Sequence, residues 1–159
     1  MERRTPSQTV GPFFHEALRW SDGKRVAPDA AGPRVVLVGR MFDGAGAPVG
    51  DAMVEAWQAS TRGFGRVETA ADGTFRFELP MPAGALACLD IAIFARGLLK
   101  PLRTRVYLAP EGQARADPAL ASLGVSPRLK TLVATPAGAG EFRWDVRLQG
   151  DGETVFFAP

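Results

Sequence analysis

The stretch Thr74-Phe75-Arg76-Phe77-Glu78-Leu79 alternates apolar and polar side chains one by one, a period that suits a strand with one buried face and does not suit a helix. The alternation returns in residues 102–108, where Leu102, Thr104, Val106 and Leu108 oppose Arg103, Arg105 and Tyr107. It returns again in residues 142–149, where Phe142, Trp144, Val146 and Leu148 oppose Arg143, Asp145, Arg147 and Gln149. Residues 34–42 and 52–59 read as two further strands. Between the runs lie turn signals, among them Asp43-Gly44-Ala45-Gly46-Ala47-Pro48 and Asp72-Gly73. Residues 89–95 are apolar almost throughout, broken only by Asp90, and predict a central strand buried on both faces. Short strands at this spacing point to an all-β sandwich or barrel and away from βαβ units.

Only one helix is well signalled: Asp117 caps it, Pro118 suits its first turn, and Gly124 ends it after residues 119–123. It is too short to organise the fold. Residues 1–33 have no strand pattern. They form a polar head, an apolar knot from Val10 to His15, and a stretch dense in Asp, Gly, Ala and Pro, which together read as an extended N-terminal arm. A chain of 159 residues has room for one core, so the expected organisation is an arm over 1–33 and a β-sandwich domain over 34–159.

Charge and rare residues restrict the chemistry. With 19 basic and 17 acidic residues the net charge is only +2, too small to imply a nucleic-acid partner. The single cysteine, Cys88, closes no intrachain disulfide, and no apolar run reaches membrane-spanning length, so the expectation is a soluble protein of the cytoplasm. His15 is the only histidine and Tyr107 the only tyrosine. A catalytic metal site needs about three ligands from His, Cys, Asp, Glu or Tyr, and this chain can scarcely supply them. Serine–histidine hydrolysis would have to use His15 without a Gly-x-Ser-x-Gly elbow. By its residues alone, the chain is a sandwich without a catalytic group of its own.

Two features exceed what such a sandwich requires. The arm sequence Thr5-Pro6-Ser7-Gln8-Thr9-Val10-Gly11-Pro12-Phe13-Phe14-His15 carries two aromatics and a stiff Gly-Pro pair. Either Phe13 and Phe14 staple the arm to its own core, or they reach a partner chain or pocket wall. In Phe94-Ala95-Arg96-Gly97, an arginine ends the most apolar strand. Its fork suits a carboxylate, whether on a ligand or on a neighbouring Asp or Glu.

At these residues the chain resembles a known family. The motifs TPSQTVGPFFH, LVGRMFDGAGAPVGDAMVEAWQA, IFARG, TRVYL and RLQGDGETVFF, in this order, resemble the α subunits of the intradiol ring-cleaving protocatechuate 3,4-dioxygenases. The resemblance implies a β-sandwich paired with a β subunit in a higher hetero-oligomer, acting on a small aromatic substrate and O₂. In that family the β subunit holds non-haem Fe(III) through two tyrosines and two histidines, the latter in a His-Ile-His element. Here the matching residues are Asp90, Ile91 and Ala92, and the region from Gln58 to Phe64 has no phenol, so the resemblance implies no metal ligand and no catalytic residue in this chain. It implies substrate-pocket positions for Thr9, Gly11, Pro12, Phe13 and Arg96, with Phe13 standing where relatives often carry tyrosine. The loop after Trp57 and the connection from Leu79 to Ala87 read as shorter than usual in the family. The competing reading is a non-catalytic sandwich module for binding or scaffolding that has lost its dioxygenase partner.

Overall fold

Each alternating run becomes a strand because pairing satisfies its backbone while one face meets a second sheet. The computed structural model describes residues 17–82, 86–123 and 126–158. Its strands are β1 (Arg34–Phe42), β2 (Met53–Gln58), β3 (Gly63–Glu68), β4 (Thr74–Pro80), β5 (Cys88–Phe94), β6 (Leu102–Tyr107), β7 (Thr135–Gly138) and β8 (Glu141–Arg147). They form two four-stranded sheets, ordered β4-β1-β8-β7 and β3-β2-β5-β6. All pairings are antiparallel except β1 with β8. The all-β sandwich expected from the sequence is the observed fold.

The inner faces supply the core: Val35, Leu37 and Met41 of β1, Phe75, Phe77 and Leu79 of β4, Leu89, Ile91 and Ile93 of β5, and Trp144 and Val146 of β8. At the middle of β1, Gly39 lies between Phe75 of β4 and Trp144 of β8 in the same row. The Phe75 ring lies where a Cβ on Gly39 would be, and meets Trp144 edge-on at 6.3 Å. The missing side chain is what admits that aromatic pair.

The segment before β1 is stitched into the sandwich. Gly23 O accepts from Arg66 N–H of β3, Lys24 O accepts from Glu78 N–H of β4, and Val26 N–H donates to Glu78 O. Residues 23–26 thus join the free edges of the two sheets, and Val26 is fully buried.

Four expectations need correction or extension. β5 is central in its sheet but buried on one face only, since Asp90, Ala92 and Phe94 are half-exposed. A near-continuous apolar run predicts two-sided burial, but Ala92 is small enough to face outward at little cost. Tyr107, which alternation sets on the same face of β6 as Arg103 and Arg105, is buried in a second cluster with Ala114, Leu120, Leu129, Leu132 and Val155. That cluster forms because the helical turns Pro118–Leu123 and Pro127–Leu132 cover one end of the outer face. The signalled helix is a 3₁₀ helix, and Asp117 does accept from Ala119 N–H at 2.9 Å, while Gly124 lies outside the described residues. A short α-helix, α1 (Glu111–Ala114), precedes it. β3 and β7 escaped prediction: β3 has glycines at inward positions 63 and 65, where Gly65 leaves room for Val26, and β7 is a fully exposed edge strand containing Pro136.

Candidate functional site

The outer face of the β3-β2-β5-β6 sheet carries the chain's polar chemistry in two neighbouring rows. Register places Phe64, Trp57, Asp90 and Arg105 side by side in one row, and Arg66, Glu55, Ala92 and Arg103 in the next. Arg66 donates through Nε and Nη2 to Glu55 Oε1 at 2.9 and 2.7 Å. Its guanidinium also lies over the rings of Trp20 and Phe64, at 5.2 and 5.5 Å from their centroids.

At the other edge, Arg105 bridges two carboxylates. Its Nε donates to Asp90 Oδ1 at 2.7 Å and its Nη1 to Asp117 Oδ2. The Tyr107 hydroxyl donates to the same Asp117 oxygen at 2.5 Å. Burial alone would raise the Asp117 carboxyl, but the bonds from Tyr107, Ala119 N–H and Arg105 outweigh it and hold it below the usual carboxylate range. Burial, and then the bond to Asp117, pushes the Tyr107 phenol well above its ordinary value. Burial likewise pushes the Cys88 thiol up to about 11, so it stays protonated at neutral pH and is a poor nucleophile. Sequence reasoning saw Asp117 only as a helix cap; its role as anchor for Tyr107 and Arg105 needed the covering turns to be in place.

These residues do not suit a ferric ion. Asp90 and Ala92, which the resemblance sets against a His-x-His element, lie together on the outer face of β5. The Asp90 carboxylate is taken by Arg105, however, and Ala92 has no donor atom. Tyr107 is buried and bound to Asp117. Among the described residues no group of three His, Cys, Asp or Glu side chains is placed to hold a metal.

Of the expected substrate-pocket residues, Thr9, Gly11, Pro12 and Phe13 lie outside the described residues. Arg96 sits in the turn that follows β5, with its side chain 82% exposed and paired with Asp51. A pair this open to water contributes little to stability, at most about 1 kcal/mol. Gly97 beside it has φ near 85°, the left-handed backbone that lets the chain turn there. The loop after Trp57 is short: only residues 59–62 separate β2 from β3.

No protein-family profile matches the chain. Curated relatives do, among them two over almost their whole lengths. The chain is 34% identical over 193 aligned positions to the protocatechuate 3,4-dioxygenase alpha chain of Pseudomonas putida, covering 96% of this chain and 95% of the relative. It is 36% identical over 191 positions to the alpha chain of Burkholderia cepacia, covering 98% and 97%. Both alignments are longer than this chain's 159 residues, so the relatives contain segments that it lacks. Among solved structures, the dioxygenase domain of a Streptomyces carbohydrate-binding fusion protein superposes with a TM-score of 0.57 at 22% identity, over 93% of this chain and 99% of that one. Catechol 1,2-dioxygenase of an Acinetobacter species gives 0.58 at 20% identity, over 82% of this chain and 58% of the other. The solved structures share the fold, the curated relatives share the sequence from end to end, and the chain therefore belongs to the protocatechuate 3,4-dioxygenase alpha-chain family of intradiol ring-cleaving dioxygenases.

Proposed function

We propose that this chain is the alpha subunit of a protocatechuate 3,4-dioxygenase, completing an active site whose Fe(III) is held by the beta subunit. The observation that carries the reading is full-length similarity to two alpha chains, and it is supported by an outer sheet face where Arg105 holds Asp90, the residue that the resemblance sets at a ligand position. The reaction is cleavage of protocatechuate by O₂ between its two hydroxylated carbons, giving 3-carboxy-cis,cis-muconate. This chain supplies no catalytic group; its part is to shape and charge the wall of the cavity. The wall residues are Thr9, Gly11, Pro12 and Phe13 of the arm, together with Arg96. The arm over 1–33 makes the partner contact through the part that precedes residues 23–26, which are bound to this chain's own sheet edges, and the sandwich over 34–159 carries it. Higher hetero-oligomer assembly comes with the same reading. A reducing compartment, the cytoplasm, suits a chain whose one cysteine is free.

Purification alone and with a beta subunit tests the proposal. Ring cleavage is expected only from the complex, whereas turnover by this chain alone, or an inactive complex of correct stoichiometry, contradicts it. Full-length similarity to dioxygenase subunits disfavours the scaffold module.

Arg96 offers a finer test. Its exposure supports a role in attracting an anionic substrate, because a guanidinium so accessible is available to a second carboxylate. Arg96→Ala is expected to leave unfolding free energy within about 1 kcal/mol of wild type while lowering kcat/KM of the complex about tenfold. Full activity in a clearly destabilised variant would assign Arg96 to the fold instead.

A further inference from the structure

The two rows on the outer sheet face contain one gap. In the row Arg66, Glu55, Ala92, Arg103, every side chain is long except Ala92, which leaves a hollow between Glu55 on one side and Arg103 on the other. The cavity measures about 380 Å³, and Trp57, Phe64 and Phe157 also line it. That is near the lower end of small-molecule sites and suits a single ring. Trp57, 41% exposed, stands in the adjacent row and offers a flat apolar wall. Phe157 is brought in by the C-terminal segment, whose N–H donates to Arg103 O at 2.8 Å.

The charges at the rim are unequal. Asp90 is engaged by Arg105. Glu55 is neutralised by Arg66, but both bonds go to Oε1, so among the described residues Oε2 accepts from no donor. Arg103 is exposed and pairs with no carboxylate among the described residues. A free cationic fork and a free carboxylate oxygen therefore face one another across Ala92. Their strands lie two spacings apart, roughly 9.6 Å at the backbone.

We infer that this hollow binds a flat aromatic acid bearing a hydrogen-bond donor para to its carboxylate, with the carboxylate on Arg103, the donor on Glu55 Oε2 and the ring against Trp57. The site goes beyond the proposed function, and its test needs neither partner nor turnover.

The probe is 4-hydroxybenzoate, titrated calorimetrically into the full chain. One equivalent is expected to bind. Benzoate, lacking the donor, should bind about fivefold more weakly, and 4-hydroxybenzamide, lacking the charge, about tenfold more weakly. Ala92→Leu fills the hollow and should abolish binding while preserving the thermal transition. Arg103→Gln changes an exposed side chain and should bind acid and amide alike, which decides the matter even if Ala92→Leu folds poorly. The inference is overturned if acid and amide bind wild type equally, if a folded Ala92→Leu binds as wild type does, or if no heat appears up to about 20 mM ligand.

Discussion

Asp117→Ala is expected to lower the free energy of unfolding by about 3 kcal/mol, the cost of breaking a buried pair when one partner keeps a second counter-ion. Asp117 is only 3% exposed and accepts from Arg105, Tyr107 and the Ala119 N–H. Removing it orphans the buried Tyr107 hydroxyl, which costs about 1–3 kcal/mol by itself, and loosens the Arg105 guanidinium, which retains Asp90. The pH dependence has a defined sign. The folded Asp117 carboxyl lies below its unfolded value, so its contribution is present above about pH 4 and is lost as pH falls through the depressed folded value. The Tyr107 phenol lies above its unfolded value, so its contribution holds below about pH 10 and is lost as pH rises further. Denaturant unfolding across pH should show the wild-type advantage over Asp117→Ala shrinking at both ends. An advantage unchanged at acid pH contradicts this account of the cluster.

Gly39→Val is expected to cost about 3 kcal/mol, the upper range for overpacking a well-filled core. Two effects compete. Valine favours strands and restricts the unfolded chain, a gain of about 1 kcal/mol at most. Against this, a Cβ at position 39 would lie 2.1 Å from the Phe75 ring, which is held between the sheets against Trp144. The ring must leave, and Trp144 cannot yield freely because its Nε1–H donates to Thr131 O at 2.8 Å. The clash outweighs the propensity gain. Thermal unfolding and near-ultraviolet circular dichroism of the two aromatics check it, and a variant within about 0.5 kcal/mol of wild type would show that the row has slack.

Strand positions were legible wherever alternation was strong. Residues 34–42 correspond to β1, and residues 74–79 to β4 but for Pro80. Pattern failed where a neighbour, not water, decided the face. Tyr107 reads as an outward residue until the turns from Pro118 to Leu132 cover it, and those turns carry no periodic signal. Gly63 and Gly65 erase the inward half of the β3 pattern because Ala27 and Val26, distant in sequence, fill their places. The face bearing Asp90, Ala92 and Arg103 was legible residue by residue, but the hollow over Ala92 was not. It depends on the register of three strands, which places Glu55 and Arg103 on either side of an alanine.

The central claim is that this chain completes a cavity around a metal it does not hold. Metal analysis of the chain expressed alone in iron-replete medium, set beside that of its complex with a beta subunit, tests it most directly. The prediction is negligible iron in the isolated chain and close to one ferric ion per αβ pair in the complex. Stoichiometric iron bound by these 159 residues alone would contradict it.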